Sequence, residues 1–152
     1  MKAVKILLVA LILIFIAIQF IPSGIPQNTP EDDRSIVKSG LVTEAVLQQL
    51  KISCYDCHSN QVNLPWYAKV APSSWLLSDH IREGKDHLNF SEWSDYSKRK
   101  KISLLEHIGE EVKSGGMPLK SYLLIHRDAR LNSGEVSALV SWTEEASGKI
   151  LQ

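Results

Sequence analysis

Cysteine is scarce in this chain: Cys54 and Cys57 are the only two in 152 residues. They stand in the stretch SCYDCHSN, so the pair is a redox disulfide, half of a metal site or the attachment point of a haem. Charge of one sign is not in excess either, because 17 Lys and Arg balance 17 Asp and Glu. That balance offers no footprint for nucleic acid, and none is expected as a partner. Period-2 alternation bounded by turns is missing, which removes the strand-to-helix setting in which a C-x-x-C oxidoreductase lowers one thiol pKa. A second C-x-x-C or an H-x-x-x-H is missing too, leaving a structural zinc site short of ligands. There is no internal repeat and no low-complexity tract.

The length suits one compact domain with a tail or anchor. Lys2 and Lys5 precede Ile6 to Ile25, a run of 20 residues without an ionisable side chain. As a helix it would reach about 30 Å, the thickness of a bilayer's hydrocarbon core. The expectation is a transmembrane anchor over residues 1–25, with a cleaved signal peptide as the alternative. Lysines before the run and Glu31, Asp32 and Asp33 after it put the N-terminus in the cytoplasm. The chain is then expected to be a single-pass protein of a bacterial inner membrane, with the domain that follows the anchor in the periplasm. Pro22, Pro26 and Pro30 mark a hydrated linker over 26–40, and the folded domain is expected over 41–148.

Wherever periodicity is clear in that domain, it is helical. Leu41, Ala45, Val46 and Leu50 share a face that leads into the cysteine motif. Ser73 or Ser74 can cap WLLSDHIREG, which is expected to stop at Gly84. Ile102, Leu105, Ile108 and Val112 form a stripe ending at Gly115 and Gly116. Asn132 with Glu135 opens a last helix that buries Val136, Leu139 and Val140 and is expected to end before Gly148. The fold class is therefore all-α, four or five helices with long loops. Those loops carry Trp66, Tyr67, Phe90, Trp93 and Tyr96, which either complete a small core or wall in a flat apolar cofactor.

Covalent haem fits CYDCH in residue type and order. Two thiols three residues apart can each form a thioether to one haem vinyl group, and His58 follows in position to ligate the iron. The expected cofactor is one haem c, held by Cys54 and Cys57. For the second axial ligand the candidate is Met117 in SGGMPLKS, where glycines relieve crowding and Pro118 stiffens the turn. His80 and His87 are the alternatives, His107 and His126 are weaker rivals, and an open site is the remaining one. Lys98, Arg99, Lys100 and Lys101 form a basic run, either a solvated helix face or a surface steering an acidic redox partner to the haem.

The helix before CYDCH, the GMP loop downstream and the closing amphipathic helix SGEVSALVSWTEE resemble class I c-type cytochromes. In that family the first and last helices cross, which implies a contact role for Trp142. The resemblance also implies that a loop carbonyl close to a proline, Pro65 or Pro72, steadies His58. More closely, SCYDCHSN with PWYAKVAPSSWLLSDH, EGKDHLNFSEW and GGMPLKSYLLIH is similar to the small membrane-anchored bacterial haem-binding (CxxCH) domain family, over roughly Leu41 to Trp142. This second resemblance implies a cytochrome c-like helical domain that binds haem. The expected function is single-electron transfer with an unidentified partner protein, an electron carrier rather than an enzyme. The alternative is a haem-based ligand sensor or a peroxidase-associated haem domain with an open distal site.

Overall fold

The computed structural model describes residues 1–152 and contains helices, turns and no strand. Seven α-helices follow one another: α1 (Lys2–Ile18), α2 (Glu44–Ser53), α3 (Tyr55–His58), α4 (Ser73–His87), α5 (Lys98–Ser114), α6 (Lys120–Leu123) and α7 (Ser133–Leu151). Short 3₁₀ turns fill several of the connections, among them Ile36–Ser39 and Phe90–Asp95. The all-α expectation agrees with this architecture.

The transmembrane expectation does not. Helix α1 has 17 residues, Lys2 and Lys5 among them, and ends at Ile18. That length spans about 25 Å, short of the roughly 30 Å of a hydrocarbon core. No helix of the protein is long and apolar enough to cross a membrane. The physical reason lies at Gln19, where the apolar run stops being helix. Its amide Nε2 donates to the Ala71 carbonyl at 3.1 Å, and its Oε1 accepts from the Ala71 N–H at 3.0 Å. A side chain that pairs both backbone groups of a distant residue fixes the chain's exit from the helix, and Phe20 to Ile25 continue without helical structure. The single-pass inner-membrane placement, with its cytoplasmic N-terminus and periplasmic haem domain, rested on that span and is corrected with it.

Residues 26–40, expected as a hydrated linker, run along the helical domain. Asn28 makes a reciprocal pair with the backbone of Val62, donating to its carbonyl at 2.8 Å and accepting from its N–H at 2.9 Å. The Thr29 N–H donates to the Asn60 carbonyl at 3.2 Å, and Gln61 returns a side-chain bond to the Thr29 carbonyl. Ser35 and Ile36 are buried, Ile36 completely.

The core is one cluster. Leu47 and Leu50 of α2, Leu104, Leu105 and Val112 of α5, and Leu139, Trp142 and Ala146 of α7 meet Ile36, Tyr55, Leu88, Phe90 and Trp93. Helices α5 and α7 form its most extensive pairing, and both are well punctuated in the sequence. Gly115 ends α5 at φ +73°, a left-handed position that glycine takes without a Cβ penalty. Asn132 and Glu135 form the full capping box of α7: Oδ1 of Asn132 accepts from the Glu135 N–H at 3.0 Å, and Glu135 accepts from the Asn132 N–H at 2.7 Å. The helix runs through Gly148 to Leu151, beyond its expected end. Trp142 lies at the junction of α7 with the start of α2, its indole N–H donating to the Leu41 carbonyl at 3.0 Å.

Helix α4 also outruns its expected stop, continuing through Gly84 to His87, and no serine side chain caps its start. Ser73 instead donates to the carbonyls of Tyr67 and Val70. The basic run opens α5 under a Ser97 cap. It therefore stands at the opposite end of this helix from the Met117 loop, with Lys98 about 20 Å along the axis from Glu111.

Candidate functional site

Helix α2 stops at Cys54, whose N–H still bonds the Leu50 carbonyl but whose φ of −128° leaves the helical range. The next turn, α3, starts anew. The Cys54 carbonyl accepts from the N–H groups of Cys57 at 3.2 Å and His58 at 3.0 Å. Closing one turn this way brings Cys54 and Cys57 to the same side of the chain. Ser59 ties the end of the turn by donating to the Tyr55 carbonyl at 2.8 Å. Asp56 braces the following loop by accepting from the Asn63 N–H at 2.9 Å.

The turn rests on α4 at Gly84. A Cβ there would lie 2.6 Å from the Cys57 carbonyl oxygen and 3.1 Å from its carbon, so only glycine lets the two backbones touch. The same contact orients His58. Its Nδ1 is 2.9 Å from the Gly84 carbonyl oxygen and 3.1 Å from that of Leu88. Carbonyls only accept, so Nδ1 carries the proton and Nε2 keeps its lone pair. Burial holds the imidazole pKa below its usual value against the opposing pull of the two carbonyls, and the ring is neutral. Hydrogen bonds of this kind fix the tautomer and angle of a histidine that binds a metal through its other nitrogen.

Beside the motif opens a cavity of about 460 Å³. Cys54, Cys57 and His58 line it, together with His80 and His87 of α4, His107 of α5 and Met117. The fold thus gathers in one place candidates that are widely separated along the chain. Apolar walls are supplied by Leu88, Phe90, Ile108, Val112 and Leu119. Met117 is half-buried on the loop between α5 and α6, with its N–H on the Glu111 carbonyl at 3.2 Å. His107 is an exposed rim residue whose ring lies 3.6 Å from Glu110. His126 is not part of the lining: its Nε2 pairs with the Tyr67 hydroxyl at 2.7 Å.

The loop aromatics divide differently from the cofactor-wall expectation. Only Phe90 of the five lines the cavity. Trp93 belongs to the main core with Tyr96 edge-on against it, Tyr67 faces His126, and Trp66 is 79% exposed. Sequence reasoning missed Tyr122, Asp56 and Gly84. Tyr122 lines the cavity and donates to Asp56 at 2.7 Å. A glycine inside a helical pattern costs about 1 kcal/mol against alanine, and that anomaly is the signal that could have found Gly84.

The donor set suits haem better than its rivals. Burial pushes the Cys54 thiol up to about 12 and the Cys57 thiol up to about 11, the opposite of an activated thiolate. No group of three or more His, Cys, Asp or Glu side chains converges to hold a metal ion by itself. An apolar cavity with two thiols and one oriented imidazole on its wall fits a flat macrocycle that brings its own iron ligands. No curated protein and no solved structure matches the chain. A family model described as a haem-binding domain matches residues 13–145. That match takes in every residue of the cavity, and the chain belongs to the haem-binding domain family.

Proposed function

We propose that the protein is a c-type haem protein that passes single electrons to and from a partner protein, an electron carrier rather than an enzyme. The observation that carries this reading is the orientation of His58, whose Nδ1 is committed to two carbonyls beside the free thiols of Cys54 and Cys57. When bound, haem supplies the one-electron Fe(III)/Fe(II) couple. Cys54 and Cys57 hold it through thioethers, and the Nε2 of His58 ligates the iron. The apolar walls exclude water and keep the charge change in a low dielectric.

Met117 would supply the second protein ligand to the iron in this reading. His80, Gly84 and His87 are spaced four and three residues apart, so they share one face of α4. His58 leans on that face through Gly84. The two histidines therefore stand on the wall that already supports the first ligand. Met117 comes from a separate wall, the loop between α5 and α6.

The test is haem staining after denaturing electrophoresis. Thioether-bound haem stays with the denatured chain, and the Cys54→Ser/Cys57→Ser double variant should lose the stain entirely. A parent protein that releases its haem on denaturation, or binds none, sinks the covalent reading.

A further inference from the structure

Asp56 is one of the two residues between the motif cysteines, and Tyr122 follows Met117 by five positions; both line the cavity. The Tyr122 hydroxyl donates to one carboxylate oxygen of Asp56 at 2.7 Å, while the other oxygen accepts the Asn63 N–H at 2.9 Å. Tyr122 is held for this by stacking on His126, centroids 4.2 Å apart and planes 7° apart, and His126 is held in turn by the Tyr67 hydroxyl at 2.7 Å. A carboxylate is thus fixed at the cysteine turn by a ring that its own neighbours hold in place.

We infer that Asp56 and Tyr122 together set the reduction potential: the carboxylate favours the more positive ferric iron, and the tyrosine hydrogen bond moderates that charge. The inference rests on the haem reading above. It requires a negative charge close to the redox centre, here on a half-buried stretch of the cavity wall where solvent screens it less than in open water. Tyr122 remains a donor, because burial first and the Asp56 hydrogen bond second raise its hydroxyl far above the ordinary phenol range. Tyr122 is a positioning residue here, acting on the iron only through Asp56.

Redox titration of the haem-loaded protein separates this from a merely structural clamp. Asp56→Asn should raise the ferrous-to-ferric ratio at a fixed ambient potential about tenfold, a shift of ~59 mV for one electron. Tyr122→Phe keeps the stacking ring and should lower the ratio about threefold. In the Asp56→Asn background the Tyr122→Phe effect should shrink to near nothing, as a double-mutant cycle requires when one residue works through the other. A clamp that only tightens the fold would move both single variants in the same direction. Equal signs, or no shift in haem-loaded protein, overturn the inference and leave the haem reading standing. A parent chain without haem overturns both.

Discussion

Met117→Ala is expected to lower the reduction potential by about 0.1–0.3 V, a fraction of the ~0.8 V over which axial ligands tune haem proteins. In the proposed reading the thioether of Met117 would be a soft, weak donor that favours ferrous iron, so its loss would favour the ferric state. In the Met117-ligated reading, alanine would also leave an iron ligand position vacant beside Pro118 and Leu119 of the cavity lining. The weak red charge-transfer band of methionine-ligated ferric haem should disappear, and cyanide should bind without waiting for a ligand to leave. Titration and visible spectra of the parent and variant check both parts. If the variant keeps the parent's spectrum while His80→Ala or His87→Ala changes it, the second ligand is that histidine. A parent that lacks the band and takes up cyanide or carbon monoxide at once is an open-site protein, suited to ligand sensing or peroxide chemistry.

Gly84→Ala is expected to destabilise the haem-free protein by roughly 1–3 kcal/mol, the usual cost of overpacking. Two effects oppose each other at this position. Alanine favours a helix interior by about 1 kcal/mol over glycine. Against that, the new Cβ would sit 2.6 Å from the Cys57 carbonyl oxygen, a backbone atom that no rotamer change can move aside. The clash prevails, and α3 must shift off α4. Because the Gly84 carbonyl is one of the two acceptors for His58, the shift also loosens the imidazole, and the fraction of chains carrying haem should fall. Urea unfolding and haem stain per unit protein report the two losses separately. An alanine variant as stable as the parent would mean that the two helices can part at no cost.

The contrast between Gly115 and Gly84 shows what can be read from the sequence. Gly115 ends an apolar stripe, a local signal, and α5 ends there. Gly84 follows a similar stripe, yet α4 runs through it, because its role is set by Cys57, far earlier in the chain and invisible to any local window. The support for His58 has the same character. The expected acceptor is a carbonyl near Pro65 or Pro72, and the acceptors found belong to Gly84 and Leu88. The candidates Cys54, Cys57, His58 and Met117 are legible as candidates, since they stand in short motifs, and the fold brings the four to one cavity. Their supporting residues are not, because Asp56, Tyr122 and Gly84 act through contacts across the fold. Helix α1 departs from its expectation for a related reason: hydropathy counts Gln19 as one polar residue in an apolar run, whereas the fold uses its amide to grip Ala71.

The pairing of Asn28 with Val62 bears on where the cofactor-binding unit can be trimmed. A chain cut back to Leu41, as a hydrated linker over 26–40 would invite, removes Asn28 and Thr29 and strips the partners from the backbone of Asn60 and Val62. Those groups follow His58 by two and four residues. The working boundary of the unit therefore lies before Asn28.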